Sequence, residues 1–196
     1  MSDRADSTSG AIIREIRGED LQGLAALEQA CFSDAWSEKL LRETLESSYD
    51  VSFAAYAADP SNGAALRTAV EDGMTGESSI SGESSISGES STSGEGGMPA
   101  GWCSIRVVGD EAELMRICVA EKLRGKGLGG QLLRRGMEEM LRRGAKAATL
   151  EVRSGNLPAK RLYEAHGFRQ EGRRKDYYRD PSEDALIYWN RALKET

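Results

Sequence analysis

The chain has 196 residues, 39% of them hydrophobic, enough for one ordinary domain with a real core. Its net charge of −6 is local, because seven acids face Arg67 alone between Asp59 and Met98; the balanced remainder offers no basic footprint for a nucleic acid. Three scattered cysteines and one histidine, His166, give no disulfide framework or zinc spacing and little material for a metal centre or a Ser-His-Asp triad, and with no membrane-length apolar run and a polar "MSDRADSTSG" start, a cytoplasmic protein without membrane partner or metal is expected.

In chain order, residues 1–10 read as a flexible terminus and 11–196 as a single domain. "AIIREIR" (11–17) reads as a first strand. Leu21, Leu24, Leu27 and Cys31 then recur on one face of a helix. Ser37 is placed to cap a second helix carrying Leu40, Leu41 and Leu45. "VSFAAYA" (51–57) is a second strand. Residues 59–98 change character: "GESSIS GESSIS GESSTS" is a six-residue repeat in three copies. A β-helix would need a large apolar residue at a fixed position in many coils. Only Ile80 and Ile86 recur, so the segment is expected to be a disordered acidic insert between strands.

"GWCSIRVV" (101–108) and "AELMRICVA" (112–120) read as a hairpin around Gly109-Asp110-Glu111. A glycine loop follows and opens a helix with an apolar stripe of Leu128, Leu132, Leu133, Met137, Met140 and Leu141, ended by Gly144. "AKAATLEVRS" (145–154) is a strand. Asn156 caps a short helix with Pro158 in its first turn, which carries Leu162 and Tyr163 and stops at Gly167. Strands around 168–178 and 184–192 complete the chain.

The loop "RGKGLGGQLL" (124–133) places four glycines in six residues, which costs conformational entropy unless a backbone must approach something closely. Two phosphate-cradling patterns fit it. Gly125, Gly127 and Gly130 satisfy G-x-G-x-x-G, and Glu151 stands where a dinucleotide fold wants an acid. In that fold, however, the strand runs straight into the first glycine, whereas Glu121 to Arg124 intervene here. The residues after Glu151 are also too few for the rest of a doubly wound sheet. The second pattern, R-x-x-G-x-G on Arg124, Gly127 and Gly129, needs only backbone N–H groups at a helix amino terminus, where partial positive charge suits a pyrophosphate. Arg124 and Lys126 add charge at the rim.

That loop between a strand and a long helix resembles the acetyl-CoA loop of the GNAT superfamily of N-acetyltransferases, and most closely its RimI-like branch. The branch acetylates the amino-terminal alanine of a small-subunit ribosomal protein. "WSEKLL" (36–41), "ICVAEKLRGKGLGGQLL" (117–133), "LEVRSGNLPAKRLYEAHGF" (150–168) and "YYRDPSEDALIYW" (177–189) carry the likeness, which reaches nearly all of the chain outside 59–98 and the first ten residues. It implies an α+β fold: a mostly antiparallel sheet of about seven strands with about four helices. It implies acetyl-CoA as co-substrate and no metal. Pantetheine would pair with Ile117, Cys118 and Val119, the pyrophosphate would lie on Arg124, Gly125, Lys126, Gly127, Leu128, Gly129 and Gly130, and Asn156 would also touch the cofactor. The family's general base matches Glu151 and its general acid Tyr163. Phe32, Trp36, Tyr177 and Tyr178 match positions that grip a peptide amino terminus, with Ala35 where the family often has proline.

The chemistry is consistent with those assignments. An amine attacks a thioester only as the free base, and an ordinary carboxylate, at about pKa 4, is a weak base, so a water relay or a raised pKa is expected. A phenol can supply the leaving thiolate's proton. From the strand pattern alone Glu151 reads as an exposed residue beside Thr149 and Arg153, Tyr163 as a helix aromatic packed on the sheet, and Tyr177-Tyr178 as cross-strand packing. Cys118 reads as a core strand cysteine rather than an acyl-carrying nucleophile, and Arg169, Arg173, Arg174, Lys175 and Arg179 as a solvated face. The resemblance implies a protein amino-terminal peptide, that of a ribosomal protein, as the partner, with no direct nucleic-acid binding. The alternatives are a lysine or small-amine acetyltransferase on the same fold and, more remotely, a non-catalytic acetyl-CoA-binding or partner-docking module.

Overall fold

The computed structural model describes residues 11–57 and 98–194. The first ten residues and, apart from Met98, the 59–98 insert lie outside the described residues.

Seven strands form one sheet: β1 (Ala11–Glu15), β2 (Asp50–Ala57), β3 (Gly101–Val108), β4 (Glu111–Val119), β5 (Ala147–Arg153), β6 (Arg169–Tyr178) and β7 (Glu183–Asn190). Their spatial order is β1-β2-β3-β4-β5-β7-β6. All pairings are antiparallel except β4 with β5. Among the described residues, four α-helices accompany them: α1 (Leu21–Cys31), α2 (Glu38–Glu46), α3 (Leu128–Arg142) and α4 (Leu157–Ala165). This is the expected mixed architecture, with the insert leaving between β2 and β3.

The two-residue period of the strands sorts side chains to opposite faces. Val51, Phe53, Cys103 and Ile105 join a core with Leu132, Leu133 and Met140 of α3 and Tyr163 of α4. Ala54, Tyr56 and Trp102, their neighbours in sequence, join the core under α1 and α2 with Leu24, Leu27 and Leu41. In α2 the stripe is narrower than expected. Leu41 is buried while Leu40 is 41% exposed, because α2 meets the sheet along the Leu41 side only.

The helix ends are set locally. The Ser37 hydroxyl accepts the Leu40 N–H at 3.2 Å, and the Asn156 side chain accepts the Ala159 N–H at 3.2 Å. α3 closes with Gly144 at φ +91°. There the N–H groups of Gly144 and Ala145 donate to Leu141 and Met140, satisfying carbonyls that the helix itself leaves open.

Candidate active site

The site forms where β4 and β5 part. They pair in parallel only from Glu111 to Leu114, although β4 continues to Val119 and β5 to Arg153. The parting coincides with a bulge. Ser104 faces Arg116 and Ile105 faces Leu114, so Met115 is the extra residue. Such a bulge bends its strand and is common beside active sites. Beyond it, the β4 edge from Met115 to Val119 is not paired with β5, and it opens into a cleft of about 670 Å³.

The glycine loop closes one end of this cleft. Gly125 and Gly127 sit at φ +76° and +81°, a region that side chains avoid. A Cβ added at either would meet nothing within 4 Å, so the backbone faces open space. Gly127 precedes the first residue of α3 and provides no side-chain cap. Among the described residues, no backbone acceptor meets the N–H groups of 125–129. These donors at a helix amino terminus are the requirement for holding a pyrophosphate. The Arg124 Nε donates to the Val119 carbonyl at 3.0 Å, tying the loop to the end of β4.

Most of the sequence-predicted residues reach this cleft. Ile117, Cys118, Val119, Arg124, Gly125, Gly127, Leu128, Gly129 and Asn156 line it, as do Glu151, Tyr163, Phe32, Trp36, Tyr177 and Tyr178. Two do not. Lys126 is exposed outside the lining. Gly130 turns toward α4, where an added Cβ would come within 3.8 Å of Leu162 and His166.

Glu151 projects from β5 and its Oε1 lies 3.0 Å from the Arg174 Nε. Tyr177 sits against the same carboxylate, whose charge holds the phenol's pKa up. The Tyr163 ring is buried beside Phe168 and Tyr188, at centroid distances of 6.2 and 6.4 Å. Burial, then the nearby Tyr178, pushes its phenol pKa upward, so it is a proton-bearing donor across the neutral range. Tyr177 and Tyr178 pack edge to face at 5.2 Å. The Arg153 guanidinium covers Tyr178 at 4.3 Å, so these rings are held by arginines and by each other rather than by cross-strand stacking. Burial and contact with Cys31 push the Cys118 thiol well up, which suits packing and not nucleophilic attack.

Four residues of the site were not singled out by sequence reading as site residues. Arg174 was grouped with a solvated basic face, yet it is the partner of Glu151. Glu113 lines the cleft from β4. Glu28, fully buried, accepts the Trp36 N–H and the Trp102 Nε1–H, each at 3.1 Å. Arg116 lies 3.2 Å from Glu28, donates to the Asp34 carbonyl at 2.7 Å, and stacks over Phe32 and Trp36 at 4.4 and 5.0 Å. Together Glu28 and Arg116 hold the Phe32–Trp36 wall of the cleft. The alternation of β4 placed Glu113 and Arg116 on a strand but carried no sign of what they face.

Residues 86–168 match the family model described as Acetyltransferase (GNAT) family. The splayed strands and glycine cradle are those of the GNAT fold, and residues 86–168 are similar to that family. Within that class, the chain is 42% identical over 93 residues to a putative ribosomal protein bS18-alanine N-acetyltransferase of Bacillus subtilis (strain 168), covering 47% of this chain and 62% of that protein. It is 40% identical over 93 residues to the ribosomal protein bS18-alanine N-acetyltransferase of Escherichia coli (strain K12), covering 46% and 63%. These matches span less than two thirds of either relative's length. In three dimensions it resembles the crystal structure of the ribosomal-protein-S18-alanine N-acetyltransferase from Escherichia coli, with a TM-score of 0.68 and 25% identity over 95% of this chain and 96% of that one.

Proposed function

We propose that this protein transfers acetyl from acetyl-CoA to the α-amine of a protein amino terminus, with the alanine of a small-subunit ribosomal protein as the favoured acceptor. The observation that carries the reading is the convergence of both halves of the chemistry on one cleft. The glycine cradle and the unpaired β4 edge line the same cleft as Glu151, Tyr163, the two tyrosines and the Phe32–Trp36 wall. The relatives named for that activity support the choice of acceptor. No described helix is long and apolar enough to cross a membrane.

Backbone N–H groups of the loop hold the pyrophosphate, and the β4 edge aligns the pantetheine arm. Carboxylates in the cleft draw in the ammonium and help it lose a proton. The free amine attacks the thioester carbonyl, and the C–S bond breaks as Tyr163 donates toward sulfur. No metal takes part in this scheme. An α-amine titrates at about 7.7–8.0 and a lysine at about 10.4. Near pH 7.5 roughly a third of α-amines are neutral, against about one lysine in a thousand, so carboxylate bases serve the first acceptor with far less help.

The test compares initial rates on a peptide starting Ala-Arg and on an amino-terminally blocked lysine peptide at equal concentration. Fragmentation mass spectrometry locates the acetylated nitrogen. The α-amine is expected to react much faster. A blocked lysine peptide reacting as fast would overturn the assignment in favour of a lysine acetyltransferase.

A further inference from the structure

We propose that Glu113 is a second catalytic carboxylate of this site, taking the proton from the acceptor's ammonium while Glu151 orients the amine. The inference rests on the amine-acetylation reading above. Its basis is the register of the sheet. Glu113 pairs with Thr149 across the parallel β4–β5 ladder, so Glu151, two residues further along β5, shares its face. Both carboxylates line the same cleft, just where the strands part.

The two are not equivalent. Glu151 is engaged by the Arg174 Nε at 3.0 Å and lies against Tyr177, so part of its acceptor capacity is already committed. No hydrogen bond or ion pair to Glu113 is found among the described residues, although charged groups surround it. Arg106, opposite Glu113 on β3, is committed to Asp50 through two bonds of 2.6 and 2.8 Å. The charges that reach Glu113 are Glu151 and Asp50, which favour its neutral form, and Arg106 and Arg174, which oppose it. Burial is the larger effect, and the result is a carboxyl whose pKa is raised. A half-buried, unengaged carboxylate with raised proton affinity is a better proton acceptor than one held by a guanidinium.

In the proposed step the ammonium gives one proton to the Glu113 carboxylate and becomes the free amine. Its nitrogen forms the bond to the thioester carbon, the carbon–sulfur bond breaks, and sulfur leaves with a proton from Tyr163. The new amide nitrogen sheds its surplus proton, which restores the tyrosine. Glu113 returns its proton to water once the product has left.

The test uses the full chain and compares wild type, Glu113→Gln, Glu113→Asp and Glu151→Gln. Turnover and kcat/KM are measured across pH, and acetyl-CoA affinity by calorimetry. Glu113→Gln is expected to lower turnover about 10²-fold, the scale of losing a general base, with acetyl-CoA affinity unchanged. Glu113→Asp should recover part of the loss. The acid limb of the kcat/KM profile should lie above the ordinary carboxylate range in wild type. It should move to lower pH in Glu151→Gln, because the like charge beside Glu113 is gone. Turnover of Glu113→Gln within about threefold of wild type, or an acid limb unmoved by Glu151→Gln, would overturn the proposal. The comparison is made on whichever amine wild type acetylates. A lysine acceptor would therefore refute the α-amine reading and still decide Glu113, while a wild-type protein that acetylates no amine would refute both.

Discussion

Replacing Glu28 with alanine should cost both stability and acceptor binding, for one reason. The Glu28 side chain is fully buried and receives the Trp36 N–H and the Trp102 Nε1–H at 3.1 Å, with Arg116 at 3.2 Å. Trp102 is itself 0% exposed, so its indole N–H would have no water to turn to. A buried donor left unpaired costs about 1–3 kcal/mol, and breaking a buried ion pair from one side costs about 3–5 kcal/mol. These losses overlap, because Arg116 keeps the Asp34 carbonyl at 2.7 Å; a total near 4 kcal/mol is expected. In a chain of 196 residues that corresponds to a fall in Tm of about 10 °C. The freed segment is the Phe32–Trp36 wall, so KM for the peptide should rise while acetyl-CoA affinity holds. Thermal unfolding by circular dichroism and peptide-dependent initial rates measure the two effects. A Tm within about 2 °C of wild type together with an unchanged peptide KM would refute the reasoning.

Gly127→Val should weaken acetyl-CoA binding about tenfold or more. Position 127 has φ +81° and open space around its Cβ direction, so the penalty is a β-branched residue in a left-handed conformation and a blocked backbone approach; equal affinity by calorimetry would refute the phosphate assignment. Glu139→Gln tests pH-dependent stability. Arg142 and Arg143 hold the Glu139 carboxyl down at about 2, so its contribution is fully present above the ordinary carboxylate range and fades as pH falls from about 4.5 toward 2. After allowing for the exposure of the arginines, wild type should exceed the variant by about 1–2 kcal/mol at pH 7. Urea unfolding should show the gap closing as pH falls through that window, and a gap that does not change with pH would count against it.

What was legible in the sequence is what local geometry decides. The glycines of 125–130 announced a loop whose backbone is approached closely, because such a run otherwise only costs conformational entropy; that Gly125 and Gly127 take positive φ is what the structure adds. Ser37 and Asn156 announced helix starts because an Oγ or Oδ1 satisfies an N–H within the next turn, as each does. The resemblance extended this to Glu151 and Tyr163, which do line one cleft. Apolar spacing alone could not say which leucine of α2 faces inward, since that depends on how the helix lies on the sheet. Nor could it say that Glu113, Glu151 and Arg174 would meet. They come from three different strands, and the parallel β4–β5 register, the bulge at Met115 and the shifted β6–β7 register bring them together. Strand register is a property of the assembled sheet, because slipping one residue turns every side chain to the other face. The cradle was therefore readable from the chain, whereas the charge arrangement around Glu151 existed only once the sheet had formed.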